Sequence, residues 1–156
     1  TLKQKINQKE TIKFRQGEIY FMSVGHNVGQ EVYGHSDLFL RPVLVYRKLT
    51  HSSFVGIPLT STEKEGSYYF TFRYTQKRLS TALLNQIRVF DIKRAEYCDG
   101  YINLKDYYNL KEQVIRFMSV TPNQKRKGSG HSSKKLPKRL SREIKTSIAQ
   151  EDENVK

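Results

Sequence analysis

Short apolar stretches separated by polar turn residues recur along the first 90 or so residues of the chain. Four of them are rich in β-branched and aromatic side chains, which are typical of strands. They cover residues 17–24, 41–48, 53–60 and 67–74, and a longer stretch of similar composition follows at 80–91. Short strands at this spacing, with turn signals between them, predict a small barrel or a strongly twisted sheet.

A helical pattern follows the strands. Asn103 can cap a helix that extends to Met118, with Asp106 in its first turn. We expect one apolar face of this helix to pack against the sheet. The residues of that face are Leu104, Tyr107, Tyr108, Val114, Ile115 and Met118. A short helical turn is expected over 91–97. The predicted fold class is therefore mainly β with flanking α.

Charge and composition divide the chain into three parts. Residues 121–156 carry ten Lys and Arg against four Asp and Glu, and the stretch up to Arg139 is almost free of apolar residues. Such a segment cannot bury enough apolar surface to offset the entropy lost on ordering, so we expect disorder there. We predict an N-terminal extension over 1–14, a folded domain over 15–119 and a basic, largely disordered tail over 120–156.

The net charge of +13 suits a polyanion, either a nucleic acid or an acidic protein segment, without choosing among them. A single cysteine, Cys98, excludes an internal disulfide framework. The four histidines lack paired metal-ligand spacing, so we expect no metal and no cofactor. The first residues lack the apolar run of a secretory signal, and no stretch could span a bilayer. We expect a soluble cytoplasmic protein without a membrane partner.

Three polar residues stand at the ends of apolar strands or inside them. Arg41 follows a long Gly-rich connection over 25–40, Thr60 ends the next apolar strand, and Arg88 lies within a later one. A long loop in a compact domain is often functional. A guanidinium fork suits a phosphate. An ion pair, for example between Arg88 and Asp91, is the simpler explanation for any single arginine, and the residues alone leave both interpretations open.

Five sequence pieces, in order, resemble the PemK/MazF family of toxins. They are GEIYF, GQEVYG, LRPVLV, GIPLTS and LLNQIRVFDIKR, and together they span about residues 15–118. The resemblance implies a small SH3-like or CcdB-like curved β-barrel with a C-terminal helix. It also implies a homodimer, and a cognate antitoxin that covers the groove with an extended acidic segment.

The same resemblance implies an activity. These toxins cut single-stranded mRNA at short sequence motifs without a metal, and leave 2′,3′-cyclic phosphate and 5′-hydroxyl ends. The family's catalytic arginine and threonine fall on Arg41 and Thr60, and its RNA-contacting glutamate and glutamine fall on Glu31 and Gln86. Three further residues complete the predicted RNA-binding set: His35, Ser61 and Arg88.

The residue types fit this chemistry. Attack by a ribose 2′-hydroxyl needs in-line alignment and stabilisation of a dianionic phosphorane. Arg41 can hold two phosphate oxygens and donate to the leaving group, and Thr60 can donate one hydrogen bond. Arginine stays protonated, so the general base is left open between Glu31 and His35.

The chain also departs from the family pattern. The segment HSDLFL lengthens the loop before Arg41, Ala95 replaces a usual leucine, and the tail has no counterpart. Two other functions therefore stay open. One is a non-catalytic toxin of the same fold that poisons DNA gyrase. The other is a basic nucleic-acid-binding module whose tail supplies the affinity.

Overall fold

The computed structural model of the chain describes residues 1–25, 27–29, 31–34, 37–74 and 78–119. The chain divides into two compact units, Thr1–Met118 and Ser119–Lys156. Ser119 is the one described residue of the second unit. The predicted disorder of the tail over 120–156 therefore lies outside the described residues.

Two helices and seven strands make up the described part of the first unit. Helix α1 (Leu2–Asn7) precedes the strands and α2 (Leu104–Met118) follows them. The strands are β1 (Glu18–Ser23), β2 (Leu40–Lys48), β3 (Ser53–Thr60), β4 (Tyr69–Tyr74), β5 (Arg78–Leu83), β6 (Arg88–Asp91) and β7 (Ala95–Tyr101). Two 3-10 helices, Leu84–Gln86 and Ile92–Arg94, separate the last three strands.

The strands form one antiparallel sheet in the order β4-β5-β3-β2-β1-β7, and β6 also pairs with β3. Strand β3 is shared along its length: its beginning pairs with β6 through Phe54 and Phe90, and its end pairs with β5 through Leu59 and Ala82. The mainly β fold with a C-terminal helix confirms the predicted fold class.

The four strands predicted over the first half of the chain are confirmed as β1 to β4. The single strand predicted over 80–91 was wrong, because this stretch forms β5, a 3-10 helix and β6. Both strands use the same edge of β3, one after the other. The chain must therefore turn between them. Leu84 is fully buried at that turn. The sequence of 80–91 therefore stays as apolar as that of a strand and does not reveal the turn.

The helical turn predicted over 91–97 was only partly correct. Ile92–Arg94 is a 3-10 helix, but the chain then enters β7, which the sequence analysis did not predict. Strand β7 pairs with β1 through two register shifts. Its first residue, Ala95, is buried, whereas the next three are exposed. A strand without alternating burial gives no period-two signal in the sequence.

Both faces of the central strands are buried. In β2, Leu44 belongs to one core cluster, while Val43 and Val45 belong to another. The first cluster includes Leu110 of α2, and the second includes Phe14, which the sequence analysis leaves in the N-terminal extension. Burial on both faces explains why β2 and β3 are continuous apolar runs rather than alternating ones.

The C-terminal helix begins as predicted. The Asn103 side chain accepts a hydrogen bond from the Asp106 N–H at 2.9 Å and donates to the Asp106 carboxylate at 2.7 Å. The predicted apolar face was partly wrong, because Leu104 is 74% exposed and Met118 is 57% exposed. The buried pair is Leu110 and Val114, four residues apart in the middle of the helix. Among the described residues, neither helix is long and apolar enough to cross a membrane.

Candidate active site

A groove of about 540 Å³ opens where β2 begins and β3 ends. Arg41 and Thr60 both line this groove, together with Ser61. The paired register of the two strands reaches Val43 opposite Pro58. Arg41 and Thr60 each stand two residues further along their strands, so the antiparallel register itself brings them to the same end of the sheet.

Backbone oxygens hold the guanidinium of Arg41 at the groove. Its Nε donates to the Tyr33 carbonyl at 2.8 Å, and its Nη1 donates to the Leu59 carbonyl at 3.4 Å. Pairing of Arg41 with Met22 of β1 fixes its backbone. Burial lowers the pKa of Arg41 from its ordinary value. The site therefore holds a half-buried cation, which has lost part of its hydration and suits an anionic ligand.

The hydroxyl group of Thr60 can donate a hydrogen bond to a ligand. Its Oγ1 accepts a hydrogen bond from the Thr62 N–H at 3.3 Å, and the hydroxyl hydrogen can point elsewhere. Ser61 directly follows β3 and is exposed at the rim. The groove thus combines one fixed cation with neutral hydroxyl donors.

Three other predicted RNA-binding residues form a separate group. Gln86 accepts a hydrogen bond from the Val32 N–H at 3.4 Å, and Arg88 donates to the Val24 carbonyl at 3.4 Å. Burial and the charge of Arg94 lower the pKa of Arg88, and the negative charge of Glu31 opposes that change. These three residues lie outside the lining of the 540 Å³ groove.

The ion pair considered between Arg88 and Asp91 was wrong for the described residues. Arg88 instead lies over the Phe90 ring at 4.8 Å. Asp91 accepts from the Lys93 N–H and so caps the following 3-10 helix. Arg88 is therefore available to line a second pocket, of about 330 Å³, together with Asn27 and Arg94.

The 25–40 loop joins the two groups. The N–H of Val32 contacts Gln86, and the carbonyl of the next residue, Tyr33, contacts Arg41. Glu31 is exposed on this loop, and its carboxylate accepts from the Val28 N–H at 3.4 Å. His35 lies outside the described residues. The long connection is thus bound to the groove through its backbone.

Replacing Gly34 with alanine is expected to destabilise the first unit by more than about 1 kcal/mol. A Cβ at Gly34 would overlap the backbone carbonyl of Phe39, so the loop backbone must move. Tyr33 is next to Gly34 and accepts a hydrogen bond from Arg41, so the movement should also reach the groove. Urea denaturation measures the free energy of unfolding. Val28→Ala, in the same loop and 85% exposed, is the control and should behave as wild type. Equal stabilities of Gly34→Ala and wild type would contradict the described loop backbone.

Several residues of the groove were missed by the sequence analysis. Phe21, Tyr74 and Tyr97 line it, and the Tyr74 hydroxyl donates to Asp99 at 2.6 Å. Tyr97 and Asp99 lie on β7, the strand that the sequence does not reveal. Among the described residues, no group of three or more His, Cys, Asp and Glu side chains could hold a metal ion.

The fold and the groove together define a small, mainly β protein whose polar site lies where two adjacent strands meet. Solved structures of this kind are MazF toxins. A MazF from Deinococcus radiodurans is 16% identical, with a TM-score of 0.56, over 72% of this chain and 100% of the other. The Mycobacterium tuberculosis toxin MazF-mt6 is 12% identical, with a TM-score of 0.50, over 67% and 98%.

A third structure is described as an endoribonuclease in complex with its cognate antitoxin from a mycobacterial species. It is 10% identical, with a TM-score of 0.51, over 68% of this chain and 95% of the other. The sequence matches no protein-family model and no curated protein. At these identities the comparisons establish the fold: the chain has the fold of the MazF toxins, which confirms the PemK/MazF resemblance at that level.

Proposed function

We propose that the chain is the toxin of a type II toxin–antitoxin system and acts as a sequence-specific endoribonuclease on single-stranded mRNA. The observation that carries this proposal is the convergence of Arg41 and Thr60 in one groove of a MazF fold. A half-buried arginine next to a hydroxyl donor matches the charge of a phosphodiester in RNA. We propose a cytoplasmic site of action, where mRNA is available.

In the proposed reaction, Arg41 binds the scissile phosphate and needs no metal. The ribose 2′-hydroxyl gives its proton to a general base, and its oxygen forms a bond to phosphorus. The bond from phosphorus to the 5′-oxygen breaks, and that oxygen takes up a proton. The products are a 2′,3′-cyclic phosphate and a 5′-hydroxyl. Arg41 and Thr60 donate hydrogen bonds to the oxygens on which negative charge develops. Arg41 stays protonated and can also donate a hydrogen bond to the departing 5′-oxygen.

The remaining predicted residues extend the proposed RNA path. Ser61 adds a donor at the rim of the groove. Gln86 and Arg88, with Glu31, lie outside the groove lining and would contact flanking nucleotides, as would His35. We propose a homodimer, and an antitoxin whose acidic extended segment competes with RNA for the groove. The net charge of +13 favours both anionic partners.

Replacing Thr60 with valine is expected to lower the cleavage rate about 100-fold, because valine keeps the β-branched shape and removes the hydroxyl donor. Thr60→Ser keeps the donor and should retain most of the activity. The assay is single-turnover cleavage of single-stranded RNA by each purified protein in EDTA. Equal rates for Thr60→Val and wild type would contradict the role of Thr60. Absence of RNA cleavage by the wild-type protein would contradict the proposed function itself.

A further inference from the structure

An aromatic shelf crosses three strands inside the groove. It consists of Pro42 on β2, Phe21 on β1 and Tyr97 on β7, and the sheet register places Phe21 opposite each of the other two. The rings of Phe21 and Tyr97 are 4.9 Å apart and within 20° of parallel. All three residues line the same groove as Arg41 and Thr60. An apolar surface therefore lies in the same groove as the guanidinium of Arg41.

The shelf is open rather than covered. Tyr97 is 51% exposed, and Phe21 and Pro42 are each half-buried. Rings stacked at this distance cover each other on their facing sides, so an outer ring face, chiefly that of the more exposed Tyr97, is the surface on which a further flat group can stack. An exposed aromatic ring that adjoins a polar site can serve as a binding surface for a flat group.

The combination of a cation and an aromatic plane matches one ligand class in particular. Every nucleotide of single-stranded RNA carries a phosphate beside a base, and proteins bind such strands by pairing cations with the phosphates and aromatic rings with the bases. An acidic peptide would satisfy Arg41 without using the ring faces. A purely apolar partner would use the ring faces without using the guanidinium of Arg41.

We propose that the aromatic shelf is a base-stacking subsite, which holds the base of a nucleotide adjoining the phosphate bound by Arg41. This inference rests on the proposed function and adds a ligand-positioning role for Tyr97 and Phe21. Stacking stabilises bound RNA equally in the ground state and in the transition state. Loss of the shelf therefore raises KM and the dissociation constant, while kcat changes little.

Tyr97→Ala is expected to weaken binding of single-stranded RNA about 5- to 100-fold, the usual effect of losing one stacked base. The probe is a 2′-O-methyl oligoribonucleotide, which cannot be cut through its 2′-oxygens, followed by fluorescence anisotropy. Tyr97→Phe keeps the ring and should bind within about 3-fold of wild type. The matched control is Tyr101→Ala, on the same strand, which is 69% exposed and outside the groove lining. It should bind as wild type.

A set of oligonucleotides, each with one abasic nucleotide, tests the stacking directly. An abasic nucleotide at one position should weaken binding to the wild-type protein by about the same factor as the Tyr97→Ala substitution does. The same abasic oligonucleotide should bind Tyr97→Ala no more weakly than the intact oligonucleotide binds that variant. If every abasic position affects wild type and Tyr97→Ala equally, the shelf is not a base subsite. A change in the sedimentation of Tyr97→Ala with unchanged RNA binding would make the shelf a protein interface and overturn the proposal. Failure of the proposed function is distinguishable, because the wild-type protein would then bind these oligonucleotides through the shelf without cutting RNA.

Discussion

Replacement of Arg41 by alanine is expected to reduce RNA cleavage by at least about 1000-fold, since it removes the one charged donor that the described groove offers to the phosphorane. The fold should survive. The side chain makes hydrogen bonds to the carbonyls of Tyr33 and Leu59 at the edge of the sheet, and their loss costs on the order of 1 kcal/mol. Single-turnover cleavage and urea unfolding of the same preparation measure both effects.

Two further variants make this result specific. Arg47→Ala removes a positive charge from the same strand, at an exposed position outside the groove lining, and should cut RNA as wild type does. Arg41→Lys keeps the charge but loses the planar fork, so it should restore only part of the rate. A folded Arg41→Ala protein that cuts at the wild-type rate would exclude Arg41 from catalysis.

Replacement of Phe54 by alanine is expected to destabilise the first unit by about 3–5 kcal/mol. Phe54 is fully buried on β3, and its ring lies 5.3 Å from that of Phe14 and 5.9 Å from that of Phe90. Its removal leaves a cavity between the N-terminal segment, β3 and β6. Urea denaturation followed by circular dichroism measures the free energy of unfolding.

The control for Phe54 is an exposed residue of the strand that pairs with it. Val89 lies on β6 beside Phe90 and is 61% exposed, so Val89→Ala should change stability by no more than about 0.5 kcal/mol. If Phe54→Ala and Val89→Ala have equal stabilities, the described core of this unit is incorrect.

The sequence predicts best those elements that are buried continuously or that are fixed by local interactions. Strands β2 and β3 are buried on both faces, so their apolar runs stand out against polar turns. The cap of α2 is predictable for a different reason, because Asn103 and Asp106 interact within one helical turn. Local interactions and continuous burial are both visible in a linear sequence.

The missed part depends on long-range pairing. Nothing local in β7 distinguishes it, since its one buried residue is Ala95 and its pairing partner, β1, lies more than 70 residues earlier. Tyr97 of the groove was missed for the same reason. Arg41 and Thr60 are prominent because they interrupt apolar strands, whereas Tyr97 is one exposed aromatic residue among several.

The 25–40 loop is an intermediate case. Its length and glycines predict a functional connection, but they do not predict which backbone groups bind which side chains. The structure connects Val32 to Gln86 and Tyr33 to Arg41. Glu31 does not line the groove, although it precedes Arg41 on the same loop. Loop geometry depends on such contacts, which cannot be read from composition.

The most direct test of the proposed account is to map the ends of RNA fragments after incubation with the purified full-length chain in EDTA. The account predicts cuts in single-stranded RNA at a recurring short motif. Each cut should leave a 2′,3′-cyclic phosphate and a 5′-hydroxyl, and all cuts should disappear with Arg41→Ala. Fragments with 5′-phosphate ends, cleavage only when a divalent metal is supplied, or RNA left intact by the wild-type protein would contradict it.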